Sequence, residues 1–204
     1  TRIDTPAFSY CAYLGEVTLP STLKYFGERA FEKCERVIKV YAPSLEYWLE
    51  IEYVNTDSLP LACYSGAMHT MLYFDGELFE DLVIPDTVTS IKPYLFGGAS
   101  SIKTVTFPET LESIGEGAFE YCHGIESITI PESVDEIGNA AFCGCDGMKS
   151  FTLKRVPAAL GENLLSGCIS LETASIPDNL TVIPKSMFSG CESLESITLP
   201  SSLK

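Results

Sequence analysis

The sequence is short of cations and of histidine. Lysine and arginine together number 13 against 28 acidic residues, a formal net charge of -15, and the histidines are two, His69 and His123. Without a basic cluster the surface repels phosphates, which excludes nucleic acid and anionic membranes as partners. No stretch approaches about 18 consecutive apolar residues, so no helix is predicted to cross a membrane. A nucleophile elbow, a phosphate-cradling glycine loop and a paired-histidine metal helix are all missing. What is present is apolar: 46% of the 204 residues are hydrophobic and 20% are charged, which suits a buried core in one or at most two domains.

A period organises these residues. Phe8, Phe31, Phe96, Phe119, Phe142, Leu165 and Phe188 occupy one equivalent position, 23 residues apart except for the step from Phe31 to Phe96. That step is 65 residues, two repeats plus 19 extra, which places an enlargement at residues 44–72. Counting from the phenylalanine, cysteine recurs at plus three as Cys11, Cys34, Cys122, Cys145, Cys168 and Cys191. Apolar residues recur at plus six, nine and eleven, as in Ile125, Ile128 and Ile130, and a proline such as Pro131 follows. This alternation predicts a short strand with one face buried, ended by a proline that has no amide to give a ladder. A unit of this size cannot bury its apolar face alone, so neighbours must stack into one core.

Residues such as LESIGEGAFEYCHGIESITIP, from Leu111 to Pro131, resemble the Treponema-type leucine-rich repeat of BspA-like bacterial surface proteins. The resemblance covers nearly the whole chain outside the enlarged repeat. It implies an α/β solenoid, a right-handed coil with short parallel strands, and residues 1–204 as a single leucine-rich-repeat domain with residues 44–72 inserted. It also implies export to a bacterial cell surface and adhesion to host or matrix proteins.

Eight cysteines suggest a disulfide framework at first. Stacked equivalents would lie roughly 5 Å apart, so bridges are sterically open. Yet Gly76 and Ala99 fall at the cysteine position in two repeats, and a site that takes glycine and alanine is a packing site. Zinc finds no two-residue cysteine spacing, and neither a metal nor a cofactor is expected. Cys63 and His69 are the one pair that could act as nucleophile and base. A loop cysteine beside a surface histidine is the plainer reading, and no enzyme is expected.

Two surfaces remain for binding. Strand residues at plus eight and plus ten point away from the core: Thr104 and Thr106, Ser127 and Thr129, Ser150 and Thr152, Thr173 and Ser175, Ser196 and Thr198, with Tyr41 in the N-terminal part. Threonine and serine suit an exposed strand for its own sake, while two hydroxyl rows could also meet a protein or matrix ligand, or a glycan. The second surface is the enlarged repeat, where Ser44 caps a helix carrying Leu45, Trp48 and Leu49, and Asp75-Gly76 signals a hairpin. Trp48 either fastens this helix to the solenoid or anchors a partner. The first and last residues both fall inside the repeat pattern, so the expectation is a monomeric piece of a longer protein, with contacts end to end. The carboxylates spread along the coils suit an extracellular, soluble face.

The packing reading of the cysteines makes a first prediction. A thiol titration under denaturing, non-reducing conditions should find mostly unbridged thiols, and three or four disulfides would overturn that reading.

Overall fold

The computed structural model describes residues 1–61 and 69–204. It is a parallel β-solenoid of about seven turns. The chain runs through β1 (Arg2–Ile3), β2 (Glu16–Thr18), β3 (Tyr25–Phe26) and β4 (Lys39–Ala42). Next come α1 (Leu45–Glu50), β5 (Glu52–Tyr53) and a 3-10 turn over Thr56–Ser58, and then β6 (Met71–Phe74), β7 (Glu77–Leu78) and β8 (Asp81–Val83). The remaining strands are β9 (Ser90–Ile91), β10 (Thr104–Thr106), β11 (Ser113–Ile114), β12 (Ser127–Ile130), β13 (Glu136–Ile137), β14 (Ser150–Leu153), β15 (Ala159–Leu160) and β16 (Thr173–Ser175).

Each regular turn contributes two strands. The longer ones, with the hairpin strand β7, form the front, with ladders β2-β4-β6-β7, β8-β10 and β12-β14-β16, and the other two-residue ones form the back, β1-β3-β5 and β9-β11-β13-β15. Pairs such as Ser127 with Ser150 and Ser113 with Glu136 join residues 23 apart. The back strands are an element that the hydrophobic pattern did not announce. A two-residue strand such as Ser113–Ile114 is too short to show alternation. The expected α/β character is corrected at the same point: among the described residues α1 is the one α-helix, because the return path of a coil this short is taken up by a strand and tight corners.

The corners sit on either side of the phenylalanine. Residues two positions before it (Arg29, Tyr94, Gly117, Ala140, Asn163, Ser186) and two after it (Tyr10, Lys33, Gly98, Tyr121, Gly144, Gly167, Gly190) have positive φ. Gly144 shows why glycine is favoured there. Its φ is 69°, and an added Cβ would stand 2.4 Å from Cδ1 of the Tyr121 ring in the preceding turn.

Between the corners the aromatic rings stack along the solenoid. Ring centroids are 5.1 Å apart for Phe8 and Phe31, 5.4 Å for Phe96 and Phe119, and 5.3 Å for Phe119 and Phe142, with planes within 14° of parallel. Burying one such ring contributes about 1.5–3 kcal/mol, and the stacking adds roughly 0.5–1.5 kcal/mol per pair. Each ring's amide donates to the next turn, as from Phe119 N to Ala141 O at 2.8 Å. In the enlarged repeat Asp57 O accepts from Phe31 N. The wholly buried Ser58 then follows where a phenylalanine would stand, and Trp48, Leu59 and Leu61 fill the core nearby.

The cysteines serve the same stack. Five thiols donate to the carbonyl at the ring position one turn back: Cys34 to Phe8 O at 3.0 Å, Cys122 to Phe96 O at 3.0 Å, Cys145 to Phe119 O at 3.1 Å, Cys168 to Phe142 O and Cys191 to Leu165 O at 3.3 Å. Burial pushes the Cys122, Cys145 and Cys168 thiols well up, so they remain protonated donors. One position departs from the sequence expectation. Gly76 is not on this ladder but in the β6–β7 turn, with Asp75 at φ 50° and Gly76 at φ 83°, the conformation that an Asp-Gly hairpin takes. Thr70 is bridged to Ala99 in its stead, buried and donating from Oγ1 to Val37 O at 2.8 Å.

No ladder joins β5 to β9, and side chains close this seam. Trp48 Nε1 donates to Leu95 O at 2.9 Å, Tyr53 Oη to Pro93 O at 2.6 Å, and Lys92 Nζ to Leu49 O and Ile51 O at 3.0 and 2.8 Å. Lys92 thus meets carbonyls at the C-terminal end of α1, where a cation complements the helix dipole. Its ammonium is held below its ordinary pKa, first by burial. Ser44 Oγ accepts from Tyr47 N at the other end of α1, as an N-cap should.

Cys145→Ala removes one thiol donor from Phe119 O and leaves a small void. The loss expected in chemical denaturation is about 1–2 kcal/mol, and an unchanged midpoint would show that the thiol only fills space.

Candidate functional site

The front sheet presents its outward residues in rows. In the C-terminal half, Asp81 pairs with Thr104 and Val83 with Thr106, and beyond them Ser127, Ser150 and Thr173 form one row and Thr129, Thr152 and Ser175 the other, with β10 in contact with β12. Ser150 and Thr152 are half-buried and the rest are exposed, while Ile128, Ile130, Phe151 and Leu153 between them are buried. Thr104 Oγ1 donates to Asp81 Oδ1 at 2.7 Å. The rows end at β16: Ser196 and Thr198 are exposed but lie outside any strand among the described residues, so the expected fifth strand is corrected to an irregular segment.

The N-terminal half has a different chemistry. Tyr41 pairs in register with Tyr73, and their rings stack with centroids 4.6 Å apart. Met71 stands beside Lys39 in the neighbouring row, and Leu78 of β7, 42% exposed, lies opposite Tyr73. The front is therefore an aromatic and apolar patch joined to a hydroxyl field, with the β6–β7 hairpin between them. Sequence reasoning found Tyr41 and missed Tyr73, because the enlargement shifts the pairing to residues 32 apart, Tyr41 with Tyr73. The hairpin signal at Asp75-Gly76 was the clue available, since it fixes which residues precede the turn.

Charges line the edge of the front. Lys39 Nζ meets Glu16 Oε1 at 2.8 Å, Lys103 meets Glu80 at 2.5 Å and Lys149 meets Glu126 at 3.6 Å. Exposed pairs of this kind are screened by water, add little to stability and serve mainly to keep the edge wet.

Trp48 is placed decisively. It is wholly buried and bonded to Leu95 O, so the partner-anchor role is corrected and the fastening role stands. An indole inside the core has no face left for a second molecule. Cys63 lies outside the described residues. Its companion His69 is exposed and stands against His123, with ring centroids 4.8 Å apart.

That contact belongs to a corner on the flank of the solenoid. His123 Nδ1 and Asp146 Oδ1 are 2.7 Å apart, and the Tyr121 ring lies 6.1 Å from the His123 ring. Glu120 is pushed up to about 7, first by burial and then by the charge of Glu116. Cys143 is pushed up to about 11, first by burial and then by Glu120. Among the described residues no three histidine, cysteine or acidic side chains converge as a metal centre.

The family model for the BspA type leucine-rich repeat region matches the chain in six copies, over residues 1–53, 71–156 and 112–204. No curated protein matches it. Several solved structures match the chain, two of which follow. A leucine-rich repeat protein from Eubacterium ventriosum has a TM-score of 0.62 at 16% identity, with 92% of this chain and 62% of that one covered. One from Bacteroides ovatus has a TM-score of 0.53 at 26% identity, with 100% and 59% covered. The chain therefore spans about six tenths of the length of these two proteins.

The raised pKa of Glu120 gives a pH dependence with a definite sign. Its folded value of about 7 exceeds the ordinary 4.5, so its contribution to stability is full below about 4.5 and is lost as pH rises through 7. Glu120→Gln should therefore match the parent near pH 4.5 and exceed it at pH 8. Discounted for its contact with water, the gain is about 1 kcal/mol, to be read by denaturation at the two pH values.

Proposed function

Because the chain belongs to the BspA-type leucine-rich repeat family, we propose that it is a non-enzymatic, extracellular binding module of a bacterial surface protein. In this reading residues 1–204 are one leucine-rich-repeat domain of right-handed, 23-residue coils, with residues 44–72 as an insertion. It contacts host or matrix proteins through the front sheet.

The observation that carries the proposal is the composition of that sheet. Its inward side is fully used by the core. Its outward side offers hydroxyls along four consecutive strands, β10, β12, β14 and β16, and a stacked tyrosine pair beside them. Extended surfaces of stacked repeats are where solenoids bind. Tyrosine supplies contact area with a polar tip, and hydroxyls supply adaptable hydrogen bonds, a pairing that suits protein ligands. The net charge of -15 argues against a nucleic-acid partner, and no helix among the described residues is long and apolar enough to cross a membrane.

Immobilised fibronectin, fibrinogen, mucin and glycan arrays should reveal saturable binding to a protein or matrix component. Binding should fall at least tenfold when Thr129, Thr152 and Ser175 become lysine, and Tyr73→Ser should weaken it separately. Saturable binding that none of these changes weakens would put the site elsewhere. No binding to any of these surfaces would leave the alternative, a passive spacer in a larger cell-surface protein.

A further inference from the structure

The two histidines of the chain are 54 positions apart in sequence and the fold brings their rings together. His69 stands just before β6, while His123 occupies a corner of a regular turn, four residues after Phe119. We propose that His69 and His123 form a two-histidine site for zinc or a similar borderline divalent cation, with Asp146 orienting His123 from behind.

The geometry of His123 carries the argument. Its side chain is 11% exposed, and its Nδ1 lies 2.7 Å from Asp146 Oδ1. An ionised carboxylate can only accept, so Nδ1 is the protonated nitrogen and the lone pair is on Nε2. A histidine whose far nitrogen is tied to a carboxylate is the arrangement that orients imidazoles toward metals and raises their basicity. His69 supplies the second imidazole. With zinc-to-nitrogen bonds of about 2.0–2.1 Å and a tetrahedral angle, two coordinated rings have centroids about 5 Å apart. The observed separation is 4.8 Å, with planes 71° apart. The contact is edge to face, so His69, which is exposed, must turn about its own side-chain torsions for its lone pair to reach the shared point.

Imidazole suits zinc, copper and nickel better than calcium or magnesium, which selects the class of ion. Two protein nitrogens leave two tetrahedral positions open, for water or for a carboxylate brought by a partner. Neither histidine has a role in the strand-face binding proposed above, so the two readings stand or fall separately.

The probe is zinc chloride at pH 7.5, titrated calorimetrically into the whole chain carrying Cys11→Ser and Cys63→Ser, so that neither sulfur competes for the ion. One ion per chain should bind, and the ring resonances of both histidines should shift together in the NMR spectrum. His69→Ala, at an exposed position, should abolish binding without changing the circular dichroism spectrum, and His123→Ala should do the same. Asp146→Asn should weaken binding about 10- to 100-fold. No saturable binding below millimolar zinc, or binding that survives His69→Ala, overturns the proposal.

Discussion

The carbonyl of the ring residue in each turn holds this solenoid in register. Phe119 O accepts from Cys122 N in its own turn and from Cys145 Sγ in the next, so a single atom fixes both the corner and the stacking step. The rings can lie nearly parallel at about 5 Å because the backbone they hang from is bonded at that spacing. Bonding both lone pairs of a buried carbonyl avoids the cost of leaving it unsatisfied. Thiol is the group that suits the place: it is small, apolar enough for the core, and able to give one weak hydrogen bond. A serine there would be more costly to bury, and an alanine would leave the carbonyl with its local partner alone.

The departure from regularity is concentrated between β4 and β10. There the 23-residue step fails, Ser58 replaces a ring, and the back sheet divides between β5 and β9. Trp48, Lys92 and Tyr53 bond to backbone carbonyls across the gap. The same irregular stretch contributes Tyr73 to the front and His69 to the flank. New chemistry enters a repeat protein where the repeat is broken, since every other position is bound by the need to stack on a copy of itself.

Much of this was legible beforehand. The core positions followed from the period: Ile125, Ile128 and Ile130 point inward and Ser127 and Thr129 outward because side chains alternate along a strand. The hairpin at Asp75-Gly76 was readable because those residues tolerate positive φ. The back strands were not readable, being two residues long. The Tyr41–Tyr73 stack and the His69–His123 contact join residues of the enlarged repeat to regular turns. No period connects those, and pattern alone could not pair them.

The sequence by itself determined that the chain is a solenoid of stacked repeats and which residues form its core, since a periodic apolar pattern is buried by stacking each repeat on the next. It also settled the charge and hence the partners the surface repels. Tertiary structure decided the donor role of the cysteines, the burial of Trp48 and the meeting of the two histidines. These rest on distances between turns, and such distances are set only when every turn has been stacked on the one before it.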